Sequence, residues 1–190
     1  MKKIDALVIG GSAGSLDVLL KILPQISPNI GFSIIIVVHR KQGTDSLLSD
    51  LLSHRTALKV KEADEKEKIN KGHIYIAPSD YHLLIEKDFT FSLDYSEKIN
   101  YSRPSIDVTF QTAADAYGDR LACLLLSGSN ADGVNGLISA KKHGGITLAQ
   151  DPESAQVTYM PEQAILRANV SAVLKIEEMA NYINSLSLNP

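Results

Sequence analysis

The 190-residue sequence has no tryptophan and one cysteine, Cys123. A lone cysteine excludes an intrachain disulfide framework, a Cys-x-x-Cys metal clamp and a dithiol redox pair. Its place inside "LACLLL" marks it as a core residue. Long apolar runs are missing as well. Stretches such as "IIIVV" fall far below the roughly 20 residues that cross a bilayer. The start, "MKKIDALVIG", carries two lysines before a short apolar stretch broken by Asp5, which is not a signal-peptide pattern. The expectation is a soluble, cytoplasmic protein with no direct membrane insertion.

Excess charge is also lacking. The net charge is -3 and no Lys/Arg run occurs, so nothing favours nucleic acid or an anionic membrane as partner. The histidines form no metal spacing such as His-Glu-x-x-His, so no metal is expected. His54, His73, His82 and His143 are read as helix-end and hairpin residues.

What the chain does contain is alternation. Short β-branched runs, "IDALVIG" (4–10), "SIIIVV" (33–38), "LACLLL" (121–126), "ITLAQ" and "SAVLK", alternate with helical patterns at 15–23, 44–55, 106–117, 133–142, 162–167 and 175–186. This predicts an α/β fold: a doubly wound, Rossmann-like parallel sheet flanked by helices. Pro24 should stop the first helix. Leu47, Leu48, Leu51 and Leu52 should form one helical face packed on the sheet. Residues 59–95 read as a solvated loop with short strands at 74–77, 82–86 and 89–93, including a β-hairpin. Ser105 is placed to cap the helix at 106–117, with Asp107 favourable in its first turn. No repeat or linker divides the chain, so 1–190 is expected to be a single domain.

The turn "VIGGSAGS" (8–15) follows the first strand. Its glycines, at 10, 11 and 14, do not fit the i, i+2, i+5 dinucleotide fingerprint, and no Gly-Lys-Ser/Thr phosphate loop is present. It does fit G-x-S-x-G, in which a tight strand-to-helix turn exposes a serine, here Ser12. A plain glycine-rich turn fits the same residues. Two other ionisable residues follow predicted strands and so belong at the same sheet edge. His39 directly follows "SIIIVV", and Asp132 lies in "SGSNADG" after "LACLLL". Alone, His39 is a turn histidine and Asp132 a helix-terminus carboxylate. With Ser12 they supply a nucleophile, a base and an orienting acid. A serine hydroxyl needs a base, and imidazole, with a reference pKa of about 6.5, can take its proton.

The segments "VIGGSAGS", "VVHR", "GHIYIAPSDYHL", "RPSIDVTF", "LLLSGSNADGVNGL" and "GGITLAQDPESAQVTYMPEQAI" together resemble the catalytic domain of CheB-like chemotaxis protein-glutamate methylesterases over nearly the whole chain. The resemblance implies hydrolysis of γ-glutamyl methyl esters on chemoreceptors with release of methanol, and also deamidation of receptor glutamines. It needs no cofactor. It places the nucleophile on Ser12, the histidine on His39 and the aspartate on Asp132. Oxyanion donors fall on the backbone N–H groups of Ala13 and Ser129, and the substrate rim on Arg103 and Met160. The partners implied are cytoplasmic helices of methyl-accepting chemoreceptors. The receiver domain that family members commonly carry is not in this sequence, which leaves a separate regulatory protein as an expected partner.

Two departures stand out in "SGSNADG". Ser129 replaces the family's methionine, and Asn130 replaces a glycine, a position where a left-handed backbone is expected. These departures leave two alternatives: an esterase for a different methyl ester, or a non-catalytic receptor-binding scaffold.

Overall fold

The computed structural model describes residues 3–40 and 45–187. Chain order is β1 (Ala6–Gly11), α1 (Ser15–Ile22), β2 (Ser33–Val38), α2 (Asp45–Ser53), β3 (Lys59–Glu62), β4 (His73–Ile76), β5 (His82–Ile85), β6 (Phe91–Asp94), α3 (Ile106–Tyr117), β7 (Leu121–Leu125), α4 (Val134–Lys142), β8 (Ile146–Gln150), α5 (Tyr159–Ala168), β9 (Ala172–Leu174) and α6 (Ile176–Ser185). Seven strands form one sheet in the order β3-β4-β2-β1-β7-β8-β9. Each neighbouring pair is parallel. β5 and β6 pair antiparallel as the expected hairpin.

A parallel sheet covered on both faces needs strands that are apolar on both faces, and β1 and β2 are buried along their whole length. The two-residue period of the strand sorts β1 cleanly. Leu7 and Ile9 join a core with α1, α2 and α6, whereas Ala6 and Val8 join one with α3, α4, α5 and the hairpin. The winding reverses at β1, because β2 lies on one side of it and β7 on the other. The crevice at the carboxyl ends of β1 and β7 is therefore the switch point where open α/β sheets place their ligands.

Several local expectations change. Lys59–Glu62, read as solvated loop, is the edge strand β3, and His73–Ile76 pairs with it inside the main sheet. A short, lysine-bearing edge strand is held by its ladder to one neighbour, so apolar content does not announce it. The four leucines of α2 divide. Leu48 and Leu52 are buried, but Leu47 and Leu51 are 67% and 38% exposed. The expected helix start at Thr44 lies outside the described residues. α1 ends at Ile22, and Leu23–Gln25 tightens into a 3-10 turn that contains Pro24. α5 begins at Tyr159, with Pro161 in its first turn, where a missing N–H costs nothing.

α3 and α4 approach the sheet and each other closely through glycine. A Cβ at Gly136 would sit 2.4 Å from Phe110 Cβ, and one at Gly10 would sit 2.4 Å from Ile106 Cγ2. Gly136→Ala sets a helix-propensity gain of about 1 kcal/mol against an overpacking cost of about 1–3 kcal/mol. Because the opposing atom is a Cβ with little freedom to move, the clash should win. The expected result is a lower urea midpoint with an unchanged m-value. An equal or higher midpoint would show that the two helices are not in this contact.

Candidate active site

The turn after β1 is fixed on both sides by backbone bonds that prolong the sheet. Ser12 N–H donates to Ser127 O at 2.9 Å, and His39 N–H donates to Gly11 O at 3.1 Å. Ser12 therefore sits between the ends of β2 and β7. Its own carbonyl accepts bonds from Ser15 N–H and Ser15 Oγ at 3.0 and 2.6 Å, which starts α1 immediately. Such a tight turn needs glycine. Gly14 has a φ of +83°, and a Cβ at Gly11 would sit 2.5 Å from Ser15 Cβ. Ser12 is half-buried, and Ala13 beside it is exposed.

His39, just past β2, meets Asp132 from the loop after β7: His39 Nε2 lies 2.8 Å from Asp132 Oδ2. Asp132 is fully buried and His39 is 13% exposed at its side chain. Asp132 also accepts from Ile106 N–H at 2.7 Å, Asp107 N–H at 3.0 Å and Ser105 Oγ at 2.9 Å. It is thus a helix-terminus carboxylate and the partner of His39 at once. The helix it caps is α3, not the adjacent α4. Ser105 occupies the N-cap position, but its hydroxyl makes no cap bond; it donates to Asp132, which does the capping instead.

Asp107 returns the arrangement. Its Oδ1 accepts from Gly133 N–H at 2.9 Å and Gly136 N–H at 2.8 Å, so a residue of α3 caps α4. Its Oδ2 accepts from the side-chain amides of Asn100 and Asn135, each at 3.3 Å. Each carboxylate closes the other's helix. Orphan N–H groups and the positive helix end both favour this placement.

The two carboxylates titrate in opposite directions. Burial pulls the Asp132 pKa upward, but hydrogen bonds from His39, Asp107 N–H and Ile106 N–H outweigh it, and the carboxyl is held below the ordinary aspartate value. Burial pushes Asp107 above that value, against the bonds from Gly136 and Gly133, with the nearby Asp132 charge adding to the rise. An ionised Asp132 surrounded by donors can only accept, so the proton shared with His39 resides on Nε2. Nδ1 then carries the lone pair. The ring is reversed relative to chymotrypsin-type triads, where Nδ1 faces the acid.

Nδ1 lies 3.4 Å from Ser102 Oγ, and no Ser12–His39 hydrogen bond is formed among the described residues. Ser12 and His39 nevertheless line one cleft, of about 460 Å³, with Leu16, Leu47 and Leu51 on its apolar wall. The exposed half of the α2 stripe thus borders Ser12. A second, polar cleft of about 750 Å³ also borders His39, lined by Arg40, Lys98, Tyr101, Ser102 and Arg103.

The two expected oxyanion donors, Ala13 and Ser129, are both exposed. Among the described residues neither N–H has a hydrogen-bond acceptor. Their loops are held together by Ser127, whose Oγ lies 2.7 Å from Ala13 O and accepts from Val157 N–H at 2.9 Å. They also approach at Gly128, where a Cβ would lie 3.0 Å from Ser12 Cβ.

Asn130 is not among the residues with positive φ, contrary to the left-handed expectation. Its Oδ1 accepts from Asp132 N–H at 3.1 Å and so steadies that loop. Met160 is not on a rim. It is fully buried, and its Sδ and Cε fill the space a Gly128 Cβ would take. Arg103 does border the polar cleft, donating to Ser96 O at 2.7 Å and stacking 4.0 Å over the Tyr95 ring.

Two groups were not singled out from sequence. Asp107 was read only as a first-turn acid of its own helix. His82 is buried and sandwiched: Ser105 N–H donates to its Nδ1 at 3.1 Å, while its Nε2–H donates to Glu97 O at 2.9 Å. It therefore anchors the residue that orients Asp132. Neither contact had a local sequence signal, because each joins segments distant in the chain. Among the described residues no cluster of three or more His, Cys, Asp or Glu side chains could hold a metal ion.

A glycine-turn serine, an imidazole and a buried acid at the switch point of a doubly wound sheet provide the parts that acyl transfer through serine uses. The family model described as CheB methylesterase matches residues 7–183. The chain belongs to that family. A relative from Leptospira interrogans is 43% identical over 185 residues, covering 97% of this chain and 96% of the relative. The protein-glutamate methylesterase/protein-glutamine glutaminase of Thermotoga maritima is 35% identical over 170 residues, covering 88% of this chain but 49% of that protein. This chain therefore spans about half the length of the Thermotoga protein. The crystal structure of the Thermotoga maritima CheB methylesterase catalytic domain superposes with a TM-score of 0.93 at 32% identity, covering 97% of this chain and 100% of that one. No helix among the described residues is long and apolar enough to cross a membrane.

The crossed capping has a direct test in Asp107. Asp107→Ala strands two buried N–H groups and should cost about 2–4 kcal/mol. Asp107→Asn keeps an acceptor for both and should cost much less. The linkage has a defined sign. A raised folded pKa means Asp107 adds stability below about pH 4 and loses that contribution as pH rises through its folded value. The stability difference should therefore move in favour of Asp107→Asn between about pH 4 and 7. Urea unfolding across that range checks this, and a difference that stays constant with pH would contradict it.

Proposed function

We propose that this chain hydrolyses γ-glutamyl methyl esters on the cytoplasmic helices of methyl-accepting chemoreceptors and releases methanol. The observation that carries this reading is the His39 Nε2–Asp132 Oδ2 bond at 2.8 Å. It leaves Nδ1 as the nitrogen not taken by the acid, on a ring that lines the same cleft as Ser12. In acylation, Ser12 Oγ attacks the ester carbonyl carbon as its proton passes to His39 Nδ1. The tetrahedral intermediate collapses, the C–OCH3 bond breaks, and the Nδ1 proton leaves with methoxide as methanol. Water then adds to the acyl-serine carbonyl and gives a proton to Nδ1. The bond to Oγ breaks, and the proton returns to Ser12, freeing the glutamate carboxyl.

Asp132 holds the ring and stabilises the imidazolium. The free N–H groups of Ala13 and Ser129 are the donors available to the oxyanion. Arg103 borders the polar side of the substrate path, and Met160 supports its floor. The same steps with ammonia as leaving group deamidate a receptor glutamine, in keeping with the double name of the relatives. Apart from substrate and water, these steps use only the chain's own groups. A cytoplasmic location belongs to the same reading, since the proposed substrate helices are cytoplasmic.

Methanol release from a methyl-esterified chemoreceptor cytoplasmic fragment tests the reading. Ser12→Ala should lower kcat on the order of 10⁶-fold and Asp132→Asn on the order of 10⁴-fold. Wild-type release that persists in Ser12→Ala would remove Ser12 as nucleophile. No wild-type release from a correctly esterified fragment would point to a scaffold or to a different ester.

A further inference from the structure

Ser102 has no role in the steps above, yet its Oγ is the hydroxyl recorded beside Nδ1, at 3.4 Å. That distance is at the long end of hydrogen-bond geometry. It suits a different task, because two polar atoms at this separation can both hold one oxygen placed against them. Among the described residues Ser102 Oγ has no hydrogen-bond partner besides His39 Nδ1, so it keeps capacity for a second one. Its backbone is fixed. Ser102 and Ile99 exchange N–H···O bonds of 2.9 and 3.1 Å across a tight turn. The two turn residues, Asn100 and Tyr101, have φ values of 51° and 63°.

Ser102 also stands on the wet side of the base. It lines the polar cleft with His39, whereas Ser12 lines the apolar cleft with the same ring. Solvent in the polar cleft is within reach of Ser102.

We propose that Ser102 is a catalytic residue of the second half-reaction, holding the hydrolytic water against His39 Nδ1. This rests on the reading of Ser12 as the nucleophile. In that step Ser102 Oγ–H donates to the water oxygen, which orients one water proton toward Nδ1 and a lone pair toward the acyl-serine carbonyl. The water oxygen bonds to the carbonyl carbon and its proton moves to Nδ1. The C–Oγ bond of Ser12 then breaks, and the Nδ1 proton goes to Ser12 Oγ. Ser102 ends with the proton it began with. Acylation needs no water, so it does not need this contact.

Rapid-quench kinetics on the methyl-esterified receptor fragment separates the two halves. Ser102→Ala should release one equivalent of methanol per enzyme at close to the wild-type rate. Its steady-state turnover should then fall roughly 10- to 100-fold, the cost of a misplaced reactant. The acyl-enzyme should accumulate and be visible as a mass increase on Ser12. Ser102→Thr, which keeps the hydroxyl, should restore turnover. Burst and steady-state rates falling together would mean that Ser102 only supports the ring, and neither rate changing would mean that it has no part. Both results overturn the proposal while leaving the methylesterase reading intact. An inactive wild type, or an active Ser12→Ala, would overturn that reading and this proposal with it.

Discussion

Asp107 and Asp132 are exchanged between the starts of α3 and α4, each accepting the orphan N–H groups of the helix to which the other belongs or leads. Either carboxylate alone would be an expensive buried charge. Together they close two helix termini, tie two crossover connections to each other and leave one lone-pair direction of Asp132 for His39. The bonds from Ile106 and Asp107 N–H set where the Asp132 carboxylate points, and that in turn sets which imidazole nitrogen faces it. Ser105, held by His82 from behind, adds a third restraint. His39 is thus oriented by helix ends.

The strand ladder supplies the other half of the site. Bonds from Ser12 and His39 N–H continue the β1–β7 and β1–β2 registers past the strand ends, so Ser12 and His39 are placed by the same alignment that builds the core. The loop after β7 approaches Ser12 through Gly128, with Met160 filling the space below. Two clefts of different character meet at His39. The apolar one is lined by Ser12, and the polar one by Ser102. A reaction that first expels an alcohol and then admits water uses both properties.

The parallel sheet and the G-x-S-x-G turn were legible in the sequence because each depends on residues close in the chain: β-branched runs for the strands, Gly11 and Gly14 for the turn. That His39 meets Asp132 and shares a cleft with Ser12 was legible because strand ends converge at one edge. Contacts between distant segments were not. The cap on α3 was assigned to Ser105 by local rule, while the acceptor is Asp132, 26 residues away along the chain from Ile106. Asp107 looked like an ordinary first-turn acid for the same reason. β3 escaped because its residues are polar and its stability comes from β4. Met160 was placed on the rim by resemblance, which carries position along the chain but not burial. Ser102 gave no signal at all, since nothing in "NYSRPS" says that the turn folds back to His39.

The orientation of the His39 ring is the central claim, and nitrogen-15 shifts of the ring, read by long-range proton–nitrogen correlation on the neutral imidazole, test it most directly. The wild type should show a protonated Nε2 and an unprotonated Nδ1, with that preference weakened in Asp132→Asn. A proton found on Nδ1 would mean that the ring is turned the other way, and the path from Ser12 through His39 described above would be wrong.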